Sequence, residues 1–67
     1  MQIIVNEKIR EFSVPLNITE LLATINLPSV TGIAVAVNNQ VIKRDEWERF
    51  HLSEGDRVLV IKATQGG

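Results

Sequence analysis

The N-terminal part of the chain has the pattern of a β-hairpin. An apolar run lies within Gln2–Asn6, turn-forming residues occupy positions 6–8, and apolar residues return between Ile9 and Val14. Two such runs around a short polar turn predict a pair of antiparallel strands. Pro15 has no N–H to donate to a strand ladder, so the second strand is expected to stop before it.

A helical spacing of apolar residues follows the hairpin. Four apolar side chains share one predicted helical face: Ile18, Leu21, Leu22 and Ile25. Asn17 is expected to cap the N-terminus of this helix, and Glu20 stands where its carboxylate can reach back as in a capping box. Pro28 and Gly32 then end the helix.

The C-terminal half reads as three further strands. Ile33–Val37 is an unbroken apolar run and the best candidate for a central strand. The next two residues, both asparagine, predict a tight turn into a short strand at 40–42. The polar segment 43–51 contains two aromatic residues and predicts a short helical turn. After a turn at 53–56, the residues 57–61 form the final predicted strand.

The predicted element order is β-β-α-β-β-β. With one main helix, the economical packing lays its apolar face across one side of a mixed sheet, which gives an α+β fold of the β-grasp (ubiquitin-like) type. The chain is expected to be a single domain over residues 1–67, with a flexible tail at 62–67.

The strands predict an unusually apolar open sheet face. A helix covers one side of a sheet only, yet several strands are apolar at consecutive positions. Loops around Trp47 and Phe50 could cover part of this face, or such runs could simply be typical of central strands. Alternatively the face docks another protein, with Val58, Leu59 and Val60 as candidate contacts. The sequence does not decide which alternate set points outward.

Composition excludes several classes of function. The 67 residues carry a net charge of −1, which gives no basic field for nucleic acid or a membrane surface. There is no cysteine, and therefore no disulfide, thiolate nucleophile or cysteine-rich zinc site. No apolar run approaches the ~20 residues of a membrane span, so a cytoplasmic location is expected.

The usual catalytic residues lack partners. His51 is the sole histidine, and Ser53 lacks a second histidine or a Gly-x-Ser-x-Gly setting, so we assign neither a catalytic role. The carboxylates between Asp45 and Glu48 alternate with basic residues and indicate a solvated face, so no metal site is predicted. No resident cofactor is expected.

The C-terminal tail remains as the candidate site. From Lys62 to Gly67 it can extend roughly 20 Å, enough to bring its carboxylate into a partner's pocket. Gly66 and Gly67 give this thread its smallest cross-section, with Gln65 directly before them. A carboxylate becomes acylable when an enzyme attaches a leaving group such as AMP, and glycine leaves the carbonyl carbon unshielded.

The chain resembles the ThiS family of sulfur carriers in thiamin biosynthesis. The resemblance includes "VNN" after the strand at 33–37, "VIKRDEW" at 41–47, "EGDRV" at 54–58 and the terminal Gly66-Gly67. It implies that a ThiF-type E1-like adenylyltransferase uses ATP and Mg²⁺ to adenylate Gly67. Sulfur from a cysteine desulfurase or sulfurtransferase system then gives a thiocarboxylate, which donates sulfur to a ThiG-type thiazole synthase. The carrier is thus a co-substrate of its partner enzymes and no enzyme itself.

Two alternatives share the terminal glycines. The small subunit of molybdopterin synthase (MoaD type) has the same fold and a terminal Gly-Gly, but is usually longer, with a more apolar segment before its end. A ubiquitin-like protein modifier would instead form an isopeptide bond through Gly67, and a plain interaction module would leave it unused. The "KATQGG" ending and the "KRDEW" run favour the thiamin carrier.

Overall fold

The N-terminal hairpin is confirmed. In the computed structural model, residues 1–13, 15–25 and 32–62 are described. Strand β1 (Gln2–Val5) pairs antiparallel with β2 (Lys8–Glu11). The two residues between them, Asn6 and Glu7, both have positive φ angles, of 48° and 71°, as a two-residue type I′ turn requires. Strand β2 ends earlier than predicted, and Val14 lies outside the described residues.

The predicted helix forms with its predicted cap. Helix α1 (Ile18–Thr24) begins after Asn17, whose Oδ1 accepts a hydrogen bond from the Glu20 N–H at 2.7 Å. The Glu20 carboxylate accepts one from the Asn17 N–H at 3.0 Å, which completes the capping box. The predicted stop at Pro28 lies outside the described residues, and Gly32 has a φ of +77°.

The second hairpin also follows the sequence prediction. Strand β3 (Ile33–Val37) turns through Asn38 and Asn39, at φ 51° and 71°, into β4 (Gln40–Ile42). A 3₁₀ helix (Arg44–Glu46) comes next and confirms the predicted helical turn.

Strand β5 (Arg57–Lys62) occupies the centre of the sheet. The five strands of the described ranges lie in the order β2-β1-β5-β3-β4, with β1 and β5 parallel and the other pairs antiparallel. The middle strand is β5, and β3, which the sequence predicted as a central strand, lies in the sheet interior between β5 and β4. Lys62, predicted as the first tail residue, is the last strand residue and pairs with Ile33.

One side of this mixed sheet packs against α1, so the α+β, β-grasp prediction and its element order are confirmed. The described apolar residues that are buried form one cluster: Ile3, Val5, Leu16, Ile18, Leu21, Leu22, Val35, Val37, Ile42, Trp47, Leu52 and Val58. Ile25, the fourth residue of the predicted helix face, packs against this cluster but is only half-buried. None of the described helices is long or apolar enough to cross a membrane.

Candidate functional site

The chain reaches its C-terminal tail through β5, which is held on both sides. All five residues of β3 pair with β5, from Val37 opposite Val58 to Ile33 opposite Lys62. The predicted thread of Gln65, Gly66 and Gly67 lies outside the described residues. The last residue that the structure describes before this segment is Lys62 of β5, so the surfaces around Lys62 can be examined.

Two asparagine side chains fix β5 where backbone pairing is incomplete. The Asn6 amide continues the β1 ladder: its Oδ1 accepts from the Val60 N–H at 2.8 Å, and its Nδ2 donates to the Val60 carbonyl at 3.4 Å. At the start of β5, Asn38 Oδ1 accepts from the Arg57 N–H at 3.0 Å, and Asn38 Nδ2 donates to Asp56 Oδ1 at 3.0 Å. Sequence reasoning treated both residues only as turn formers.

The register of β5 decides which of the predicted docking residues are accessible. Val58 is 1% exposed and belongs to the core, and Val60 is partly buried against the same core. Both lie on the α1 side of the sheet, so the docking prediction is wrong for the buried Val58, while that for the partly exposed Val60 stays a prediction. Leu59 points the other way and is 46% exposed. Its docking role stays a prediction.

The open face of the sheet carries apolar side chains from all five strands, with Arg57 among them directly opposite Ile4. Directly opposite residues on paired strands share a face, so the register connects Ile4 with Ile9, Ala36 with Leu59 and Val41, and Ala34 with Ile61. We call these seven residues the open apolar face. Four of its large side chains are exposed, namely Ile9 68%, Val41 69%, Leu59 46% and Ile61 49%, whereas Ile4 is half-buried.

The aromatic segment does not cover this face. Trp47 is buried in the core on the α1 side, and its Nε1 donates to the Ile42 carbonyl at 3.0 Å. The Ile18 N–H, at the start of α1, is shared between the Trp47 and Phe50 carbonyls, at 3.2 Å each. The suggestion that loops around Trp47 and Phe50 cover the open side is therefore wrong.

Polar groups frame the open apolar face. Arg57 lies at the start of β5 and lines a groove of ≈ 410 Å³ together with residues of both asparagine turns. At the opposite margin, the Met1 amino group donates to Glu11 Oε2 at 3.1 Å. This hydrogen bond, with a second one from Gln2 and the charge of the amino group, lowers the pKa of the Glu11 carboxyl.

The remaining candidates do not assemble a reaction centre. His51 is exposed and its backbone forms an isolated bridge with Asn17. The Ser53 N–H donates to Asp56 Oδ2 at 2.7 Å, which stabilises the turn at Gly55 (φ +81°). Across the described ranges, no group of three His, Cys, Asp or Glu side chains is placed to bind a metal ion.

Known proteins resemble this chain over its whole length. The family described as the ThiS family matches residues 3–67. The chain is 28% identical to the sulfur carrier protein ThiS of Escherichia coli (strain K12), over 67 residues that cover all of both chains. The family match therefore includes the positions of Gly66 and Gly67.

Solved structures agree with this similarity. The crystal structure of a thiamine biosynthesis protein (ThiS) from Geobacter metallireducens superposes with a TM-score of 0.88 at 28% identity, covering all of both chains. A solution NMR structure of a thiamine biosynthesis protein from Geobacter metallireducens gives a TM-score of 0.81 at 28% identity, covering all of this chain and 88% of the other.

Proposed function

The chain belongs to the ThiS family, and from this premise we propose that it is a sulfur carrier of thiamine biosynthesis whose reacting group is the Gly67 carboxylate. The observation that carries the proposal is the family match, which extends to residue 67 and so includes the terminal glycines. The chain acts in the cytoplasm as a co-substrate of partner enzymes and supplies no catalytic group of its own.

The chemistry begins with activation of the carboxylate. A Gly67 carboxylate oxygen attacks the α-phosphorus of ATP in a ThiF-type adenylyltransferase, and pyrophosphate leaves with its Mg²⁺. A sulfur nucleophile at the oxidation level of sulfide then attacks the carbonyl carbon, and AMP leaves with the electrons of the broken C–O bond. If the sulfur arrives as an enzyme persulfide, a thiol of the loading system reduces the acyl disulfide that forms.

The position of β5 supports this use of the tail. Pairing with β3 continues to Lys62, and Gly67 lies five residues further along the chain. Five residues span at most about 17 Å when extended. A partner's active site must therefore approach within that distance of Lys62, which requires docking on a surface close to the end of β5.

The open apolar face supplies such a surface. Ile61 is next to Lys62 and 49% exposed, and Leu59 continues the same row along β5. An exposed apolar patch of this kind on a small domain is typical of a protein-binding site. The ThiF-type and ThiG-type enzymes dock here in turn, because both must reach the same carboxyl end.

Mass spectrometry of the intact chain tests the terminal chemistry. After incubation with a ThiF-type enzyme, ATP, Mg²⁺, cysteine and a cysteine desulfurase, the chain should gain the mass of one oxygen-to-sulfur exchange. Fragmentation should assign the exchange to Gly67. A chain that lacks Gly67 should remain unmodified while its amide NMR spectrum stays that of the folded domain.

The same assay discriminates the alternatives. An intact, folded chain that shows no exchange with an active loading system would contradict the proposal. Loading by the adenylating enzyme of molybdopterin synthesis, without loading by the ThiF-type enzyme, would assign the molybdopterin role. An isopeptide bond between Gly67 and a lysine of another protein would assign the modifier role.

A further inference from the structure

The outer edge of β2 carries backbone groups that point away from the sheet. In the two-residue hairpin, Val5 and Lys8 form the closing hydrogen-bonded pair, and bonded and non-bonded pairs then alternate. Ile9 and Glu11 therefore direct their N–H and C=O groups away from β1. Ile4 lies opposite Ile9, and its N–H points away from β2 and donates to the Asp56 carbonyl at 2.9 Å. This direction agrees with a non-bonded Ile4–Ile9 pair.

Two basic side chains stand on the α1 side of this edge. Lys8 lies opposite Val5 and Arg10 opposite Ile3, and both are exposed. With Val5 and Ile25 they line a groove of ≈ 250 Å³ between β2 and the end of α1. Among the described residues, neither basic group forms a salt bridge. The single ion pair found there joins Glu11 to the Met1 amino group.

This edge disfavours pairing with a second copy of itself. The backbone groups that point outward belong to Ile9 and Glu11, so an antiparallel ladder between two β2 strands forms its hydrogen bonds between odd-numbered residues. Even-numbered residues then lie opposite even-numbered residues. Lys8 and Arg10 of one copy would then lie opposite Lys8 and Arg10 of the other. Like charges directly opposite each other destabilise a strand pair, and charged edge residues are a common protection against self-association.

We propose that the β2 edge binds an extended segment of a partner protein in which acidic residues alternate with apolar ones. The segment adds a sixth strand through the outward groups of Ile9 and Glu11. Its carboxylates lie opposite Lys8 and Arg10 in the groove, and its apolar side chains extend the open apolar face beside Ile9. The charges that reject a second copy thus select an acidic strand.

This interaction does not depend on the sulfur chemistry. The β2 edge is separated from β5 by β1, and none of its groups belongs to residues 63–67. A chain without Gly66 and Gly67 should bind the acidic segment as well as the intact chain does, although it cannot carry sulfur. Failure of one proposal therefore leaves the other standing.

An NMR titration tests the proposal with a defined probe. The probe is a capped peptide of alternating glutamate and valine, added to ¹⁵N-labelled protein, and the comparison peptide has lysine in place of glutamate. The glutamate peptide should shift the amide signals of Ile9 and Glu11 and slow their hydrogen exchange. The lysine peptide should bind roughly tenfold more weakly, because two attractive cross-strand pairs become repulsive.

Charge reversal provides the matched variants. In the double variant Lys8→Glu/Arg10→Glu the preference should invert, so that the lysine peptide binds more tightly. The control Lys43→Glu/Arg49→Glu makes the same change in net charge at exposed positions outside β2 and should keep the wild-type preference. The amide spectra of both variants report directly whether they are folded.

Several outcomes would overturn the proposal. Equal binding of the two peptides, no binding of either, or shifts that avoid Ile9 and Glu11 would leave the basic pair as edge protection alone. If the preference also inverts in the Lys43→Glu/Arg49→Glu control, the peptide preference depends on net charge and not on the β2 edge. Concentration-dependent shifts of the β2 signals without any peptide would assign the edge to a second copy.

Discussion

Val58 and Leu59 are adjacent apolar residues of one strand that serve two different surfaces. Val58 is 1% exposed and packs in the core beneath α1, whereas Leu59 is 46% exposed on the open apolar face. The two sides of the sheet are both apolar, but only one is covered by the helix. Apolar character that folding does not bury on the second side is therefore available for binding.

A small domain with this division of its sheet keeps an apolar surface outside its core. A chain of 67 residues forms a thin core, and here that core uses the α1 side of the sheet. The open apolar face contributes little burial, so its residues can change binding with a small effect on stability.

The isoleucines of the first hairpin give the most direct comparison of the two faces. Ile3 is fully buried in β1, and Ile9 is 68% exposed in β2. Ile3→Ala should lower the free energy of unfolding by about 2–5 kcal/mol, because it removes buried methyl groups and leaves a cavity. Ile9→Ala should lower it by less than about 1 kcal/mol.

Urea unfolding followed by Trp47 fluorescence measures both variants, because Trp47 is buried in the same core. If Ile3→Ala does not fold, Ile3→Val is the milder substitution, with an expected loss of about 0.5–1.5 kcal/mol. Equal losses at Ile3 and Ile9 would show that the open apolar face is covered in solution, and would contradict the comparison.

A charge at Leu59 should separate binding from folding. Leu59→Asp places a carboxylate in the middle of the open apolar face, so sulfur loading at subsaturating adenylating enzyme should fall at least about tenfold, which corresponds to about 1.4 kcal/mol. The free energy of unfolding should change by less than about 1 kcal/mol, because the site is exposed.

Ala23→Asp is the control for that measurement. Ala23 is exposed on α1, on the other side of the molecule, and the substitution costs at most about 0.7 kcal/mol of helix propensity. Loading should be unaffected by it. If Ala23→Asp reduces loading as much as Leu59→Asp does, the partner does not use the open apolar face.

Local features of this fold were predictable from sequence, whereas the pairing and orientation of β5 were not. The capping box of Asn17 and Glu20 and the Asn38-Asn39 turn depend on neighbours a few residues apart, and both formed as predicted. The central place of β5 depends on its parallel pairing with β1, which joins opposite ends of the chain. No periodicity within either strand indicates that pairing.

The orientation of β5 was unpredictable for a physical reason. Alternation identifies the buried side of a strand only when the other side is polar, and Val58–Ile61 is apolar at every position. The Asn6 contact with Val60 joins residues 54 apart in sequence and carried no local signal. By contrast, the glycine tail was conspicuous in the sequence, and Gly66 and Gly67 lie outside the described residues.

The turn residues Asn6 and Asn39 differ in whether the side chain also supports β5. Both have positive φ angles, but Asn6 also holds Val60 of β5 through its side-chain amide, and the Asn39 side chain makes no hydrogen bond among the described residues. Asn6→Gly keeps the backbone conformation and should cost about 1 kcal/mol for the lost side-chain bonds.

Asn39→Gly provides the matched control for Asn6→Gly. It should change the free energy of unfolding by less than about 0.5 kcal/mol, because only the turn conformation is involved. Urea unfolding again gives the values. Equal destabilisation by the two substitutions would mean that the Asn6 amide does not support β5, and that backbone pairing with β3 suffices to hold the strand.

The smallest effect concerns Glu11, at the margin of the open side. Its hydrogen bonds from the Met1 amino group and from Gln2 lower the pKa of its carboxyl in the folded chain. Folding therefore favours the ionised form, and the resulting stability is fully present above the usual pKa of a glutamate and is lost as the pH falls through the lowered value.

Thermal unfolding should show wild type slightly more stable than Glu11→Gln at neutral pH, with the two midpoints converging in acid. Acetylation of the Met1 amino group should reduce the difference at neutral pH, because it removes the largest cause of the lowered pKa and leaves the Gln2 hydrogen bond. A gap that persists in acid would instead assign the difference to packing.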